Sequence, residues 1–240
     1  MFDNRPSFVD RFKSIFPPVT RNIGIISLLL WLAQILLPRV GVDVTDLLGL
    51  HYWRAPEFHF WQPVTFMFLH DPHGFGHLFW NMFALFMFGL HIERAWGGKR
   101  FLLFYLLCGI SAAITQEAAW AATVEPVIHH YSGIDTGAGV ISPADWMNNF
   151  FMAIGASGAV YGILLAFGML FPNAPIFLFF IPIPIKAKYM VIFYGVLELL
   201  LGTFSGGDGI AHFAHLGGMI GGLILILIWR RRRTIDEAYY

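Results

Sequence analysis

The stretch Gly155-Ala156-Ser157-Gly158-Ala159-Val160-Tyr161-Gly162-Ile163-Leu164-Leu165-Ala166-Phe167 sets one serine inside an apolar, glycine-rich run, and Ala214-His215-Leu216-Gly217-Gly218 does the same for a histidine. Runs of this kind fold as helices inside a bilayer, where each polar side chain is costly and needs a reason. The pair reads as a nucleophile and its base, set below a membrane surface.

The rest of the chain belongs to the same class. Of its 240 residues, 57% are hydrophobic and 12% charged, against about 25% charged in an average soluble domain. The expected fold is an all-α polytopic membrane protein. A formal net charge of zero gives no footing for a nucleic-acid partner. Cys108 stands alone, so no intrachain disulfide is possible, and no Cys/His pattern has zinc spacing. Neither a metal nor a cofactor is expected. The first twenty residues lack an apolar core and a small-residue cleavage site, so the first span, rather than a cleaved leader, is read as the targeting signal.

Six spans are expected: Ile23 to Leu37, His77 to Ile92, Phe101 to Ala122, Phe150 to Phe171, Tyr189 to Phe204 and Ile210 to Trp229. They divide the chain into a short tail (1–20), a membrane domain (21–229) and a basic tail (230–240). Ile176 to Ile185 is apolar but short, and Pro182 and Pro184 make it a loop or surface-lying segment. The loop Thr123 to Asn149 is read as flexible and exterior, and the aromatic-rich loop Pro38 to Gly76 as lying partly among lipid headgroups. Of the 15 Lys and Arg, only Arg39 and Arg54 fall on one side of these spans, so the positive-inside rule puts both termini in the cytoplasm. Spans two, four and six then start at the outer face. With those boundaries Ser157 lies roughly 10 Å and His215 roughly 8 Å below their helix starts, at matching depth.

An imidazole can take a hydroxyl proton near neutral pH and return it to a leaving amine. His215 carries Gly218 and Gly222 at i+3 and i+7, a bare stripe that would let span six approach Gly155, Gly158 and Gly162 of span four backbone to backbone. His212 competes as the base but has Met219 at i+7. Tyr161, at i+4 from Ser157, can flank the base or simply pack at an interface. His77 and Asn81 share a face of span two; they can donate to a developing oxyanion, or cap and glue the helix. Glu198 is read as structural, reaching the outer surface. With no acid placed behind His215, a two-residue Ser–His centre is expected.

These residues resemble the rhomboid family of intramembrane serine proteases. The resemblance rests on His77-Leu78-Phe79-Trp80-Asn81 for HxxxN, Gly155-Ala156-Ser157-Gly158 for GxSG, and His215 with Gly218 and Gly222 for HxxGxxxG. It extends to Trp61-Gln62 with Thr65 and His70, to Glu93-Arg94-Ala95-Trp96-Gly97 and to Tyr161. It implies that Ser157 is the nucleophile and His215 the general base and acid. The Ser157 N–H with His77 and Asn81 would form the oxyanion hole, and Tyr161 would pack on His215. The chain departs from the family's frequent Trp-Arg at Trp61-Gln62, and Asp71 to Gly76 lengthens the entry to span two.

The expected activity is therefore hydrolysis of peptide bonds in or near single-pass transmembrane helices, within a water-filled cavity open to the outer side of a bacterial inner membrane. Span five and the loop before span six are read as the gate. A non-catalytic rhomboid-like binder of membrane helices is the main rival, and the retained Ser157 and His215 argue against it. A small-solute transporter using Glu198 would predict internal repeats, and none is apparent in the sequence.

Overall fold

The computed structural model describes residues 16–178, 181–204 and 211–232. The expected tails fall largely outside the described residues, as do residues 205–209, the expected loop before span six that was assigned to the gate. Five helices are long and apolar enough to cross a membrane. They are α1 (Pro18–Leu36), α2 (Phe75–Trp96, with a π-type turn at Leu85–Gly89), α3 (Gly98–His130), α5 (Ala187–Phe204) and α6 (His212–Arg231). A sixth apolar helix, α4 (Ser157–Leu170), has only 14 residues. That is about 21 Å of helix, short of a ~30 Å hydrocarbon core.

The expected helix Phe150 to Phe171 is thus corrected at its start. Residues 151–155 enter as non-helical chain, with a strand at Met152–Ala153, because the loop between α1 and α2 supplies their hydrogen-bond partners. The Gly155 N–H donates to the Phe66 carbonyl (3.0 Å), the Phe151 carbonyl accepts from the Tyr52 N–H (2.9 Å), and Met152–Ala153 pairs antiparallel with Leu50–His51. Gly155 has φ of +138°, a conformation open to glycine and strained for other residues. Ser157 therefore opens α4 instead of lying two turns inside it, and His215 lies in the first turn of α6.

Other segments are more ordered than the sequence suggests. Within Thr123 to Asn149, α3 continues to His130, a short hairpin joins Ile134–Asp135 to Val140–Ile141, and a helix over Pro143–Phe150 starts at Ser142, whose Oγ accepts from the Asp145 N–H. Within Ile176 to Ile185 the described residues form two antiparallel strands, Pro175–Leu178 paired with Ile181–Lys186. Each strand there has an unpaired edge, which is where proline is tolerated.

The bundle is sorted as a membrane protein is. In α1 the buried positions include Thr20, Gly24, Ser27 and Gln34, while Ile25, Leu28 and Leu29 face outward. Small and polar residues inside, with large apolar residues outside, let helices pack closely in a solvent as apolar as leucine. Helix α6 packs against both α3 and α4. A Cβ on Gly217 or Gly221 would run into Thr115 and Ser111 of α3, and one on Gly218 would overlap the Gly158 carbonyl of α4. The Ser111 Oγ also donates to the Gly217 carbonyl at 2.7 Å.

Two polar anchors hold the periphery. The buried Glu93 carboxylate accepts from the N–H groups of Val19 (2.9 Å) and Thr20 (2.7 Å) and from the Thr20 hydroxyl (2.7 Å), closing the exposed donors at the start of α1. In the loop between α1 and α2 the buried Gln62 occupies the Arg position of the Trp-Arg pair. Its Oε1 accepts from the His51 N–H (3.2 Å) and its Nε2 donates to the Glu57 carbonyl (2.9 Å), so a neutral amide ties the loop.

Candidate active site

Ser157 and His215 come from two helices whose backbones touch. The Gly158–Gly218 contact brings α4 and α6 together, and the Nε2 of His215 lies 2.7 Å from the Ser157 Oγ. That is within hydrogen-bond distance of a nucleophile and its base. Gly162 faces Gly218 and Gly222 one turn further along, so the stripe expected on α6 meets the glycines of α4. The Tyr161 ring stacks on His215 with centroids 4.3 Å apart and planes 6° from parallel.

A cavity of about 830 Å³ opens at this pair, lined by Asp71, His77, Asn81, Ser157, His212 and His215 among others. The Nδ1 of His77 accepts from the Asp71 N–H at 3.2 Å. In a neutral ring the proton then sits on Nε2. A Cβ at Gly155 would stand 2.9 Å from that Nε2 and 3.6 Å from the Ser157 Oγ, so the missing side chain leaves the space between them open. Asn81 donates from Nδ2 to the His77 carbonyl at 2.9 Å. An amide nitrogen carries two hydrogens, and the residue also lines the cavity. Among the described residues, His77, Asn81, Ser157 and His215 thus line one cavity, and Tyr161 stacks on His215.

Glu198 overturns its sequence reading. It is 4% exposed and lies inside the bundle instead of reaching the surface. Its Oε1 accepts from the Tyr161 hydroxyl; its Oε2 accepts from the His212 Nδ1 at 2.6 Å and lies 3.0 Å from the His215 Nδ1. An acid therefore does stand behind His215. The signal available in sequence was an acidic residue in an apolar helix, but its spacing from His215 depends on how α5 docks beside α6. His212, the rival base, faces this carboxylate.

The donor atoms of Glu198, His212 and His215 lie within 4.8 Å of one another, a grouping able to hold a cation. Two ligands of one tetrahedral ion stand about 3.3 Å apart, whereas Oε2 is 2.6 and 3.0 Å from the two Nδ1 atoms. That spacing suits shared protons better than a metal.

The comparisons with known proteins converge on one family. The family model for the Rhomboid domain matches residues 57–232. The chain is 27% identical to the putative rhomboid protease YdcA of Bacillus subtilis over 89% of both chains, and 30% identical to rhomboid protease AarA of Providencia stuartii over 69% of this chain and 55% of that one. It is also 35% identical to the mitochondrial RHOMBOID-like protein 12 of Arabidopsis thaliana, over 66% of this chain but only 43% of that relative's length. Its apolar helices make it a multi-pass membrane protein, and on the domain match the chain belongs to the rhomboid family.

Proposed function

We propose that this protein is an intramembrane serine endopeptidase that cleaves peptide bonds in or near the transmembrane helices of single-pass membrane proteins. The observation that carries the reading is the 2.7 Å approach of His215 Nε2 to Ser157 Oγ at the wall of a cavity that His77, Asn81 and His212 also line. Ser157 attacks the substrate carbonyl as its hydroxyl proton passes to His215 Nε2. The carbonyl oxygen becomes an oxyanion, received by His77, Asn81 and the Ser157 N–H. His215 then gives the proton to the leaving amine, and water hydrolyses the acyl-enzyme by the same route.

Water must reach this centre, and the cavity is its path through a layer that otherwise excludes it. We assign six crossings, with the short α4 as the fourth, and cytoplasmic termini from the lysine and arginine placement. The membrane domain spans 21–229 between tails 1–20 and 230–240, and the site opens to the outer side of a bacterial inner membrane. A helical substrate must enter sideways and unwind, since its carbonyls are hydrogen-bonded until it does. Relatives named as proteases support the class of activity.

The test is a gel assay of purified protein in liposomes with a model single-pass substrate. Cleavage by the wild type and none by Ser157→Ala or His215→Ala is expected. Cleavage persisting in Ser157→Ala would rule out this nucleophile, and a wild type that binds but never cleaves would favour the non-catalytic rhomboid-like binder.

A further inference from the structure

The function proposed above needs only a serine and a histidine, yet the protein buries a carboxylate beside that histidine. Glu198 is 4% exposed, and a charge taken out of water is tolerated only when strongly partnered. Its partners are specific. Tyr161, which stacks on His215, donates to Oε1, while His212, one turn before His215 on α6, holds Oε2 at 2.6 Å. Two residues that flank the base thus grip the same carboxylate, and Oε2 also faces the His215 Nδ1 at 3.0 Å.

For Nε2 to accept the Ser157 proton, a neutral His215 must carry its own proton on Nδ1. A histidine's tautomer is set by what its other nitrogen meets. In its present pose the Nδ1 has no well-aligned hydrogen-bond acceptor, although Oε2 is at hydrogen-bond distance. A small turn of the ring would align the two. Such contacts often tighten only when substrate is bound.

We propose that Glu198 is a positioning residue, that its carboxylate holds His215 in the Nδ1–H tautomer with Nε2 aimed at Ser157, and that the working unit is Ser157–His215–Glu198 braced by Tyr161 and His212. Glu198 takes no proton during the reaction. The Ser157 proton goes to Nε2 and on to the leaving amine, while the Nδ1 proton stays on His215 and the carboxylate keeps its charge beside the imidazolium. This inference rests on the protease reading for its kinetic consequence but not for its structural one.

The experiment joins a spectroscopic readout to a kinetic one. Protein labelled with ¹⁵N-histidine is compared by NMR in detergent micelles as wild type, Glu198→Gln and His215→Gln, the last assigning the His215 ring signals. The wild type is expected to show the Nδ1–H tautomer, and Glu198→Gln a mixture of tautomers. In the proteolytic assay Glu198→Gln should lower kcat by about 100-fold, the low end of what a general base contributes, with KM unchanged. A wild-type ring protonated on Nε2 alone overturns the proposal even if Glu198→Gln fails to fold. Equal tautomer populations in wild type and Glu198→Gln overturn it as well. Absence of Ser157-dependent cleavage would count against the protease reading, while the tautomer comparison would still decide the role of Glu198.

Discussion

Gly218 rests so closely on the Gly158 carbonyl that a Cβ in its place would overlap that oxygen. The obstacle is backbone, which cannot swing aside as a side chain could. The distance between α4 and α6, and with it the approach of His215 to Ser157, is therefore set by the absence of a methyl group.

Gly218→Ala should push α6 away from α4 and break the Ser157–His215 contact, at an overpacking cost of about 1–3 kcal/mol. Loss of most proteolysis and of Ser157 labelling by a fluorophosphonate is expected, with a lowered melting temperature. Gly76→Ala is the control, because a Cβ there meets nothing within 4 Å. Wild-type labelling of Gly218→Ala would show that the glycine contact does not govern the site.

Tyr161→Phe keeps the ring stacked on His215 but removes the hydroxyl that Glu198 accepts, whereas Tyr161→Ala removes both. An aromatic pair of this kind contributes about 0.5–1.5 kcal/mol. Tyr161→Ala should therefore be about 2–10-fold slower than Tyr161→Phe in paired initial-rate measurements. Equal rates would mean that the stacking does not help to hold the base.

Glu93→Ala leaves two N–H groups and one hydroxyl at the start of α1 without their acceptor. Each buried donor stranded in this way costs about 1–3 kcal/mol unless water reaches it. A lower melting temperature in detergent is expected, with a smaller loss for Glu93→Gln, which keeps one acceptor oxygen. An unchanged melting temperature in Glu93→Ala would show that α1 is held by apolar contacts alone.

His70 lies in the loop between α1 and α2 with no exposed surface, and burial, with His77 alongside, pushes its imidazole down to about 3. An unfolded histidine titrates near 6.5. Between those values the unfolded chain binds the extra proton, so stability at this site is present above about pH 6.5 and falls by up to about 1.4 kcal/mol per unit as pH drops below it. His70→Phe should lose less stability than the wild type between pH 7 and pH 5, as measured by thermal unfolding. Parallel pH profiles would show that His70 does not contribute.

The membrane class and the apolar segments that form the five long helices were legible in the sequence because an apolar run declares its solvent. The start of α4 was not. Phe151 to Ile154 is as apolar as the helix that follows, and only the partner groups offered by Phe66, Tyr52 and the strand Leu50–His51 draw it into extended chain. The second pair of glycines on α6, Gly217 and Gly221, also went unread, since their need for bareness comes from Ser111 and Thr115 of a different helix.

Ser157, His215, His77 and Asn81 could be picked out locally, each by a polar side chain and its spacing within one helix. Glu198 could not be assigned in that way. An intramembrane carboxylate is visible to anyone reading the chain, but whether it meets lipid headgroups or the back of an imidazole depends on the packing of α5 against α4 and α6. Sequence periodicity reports which face of a helix is apolar; it carries no information on which neighbour that face will meet. The sequence by itself determined the membrane class and the polar residues set within its apolar helices, because composition and apolar runs report the solvent, while tertiary packing alone decided that Glu198, His212 and Tyr161 close around His215.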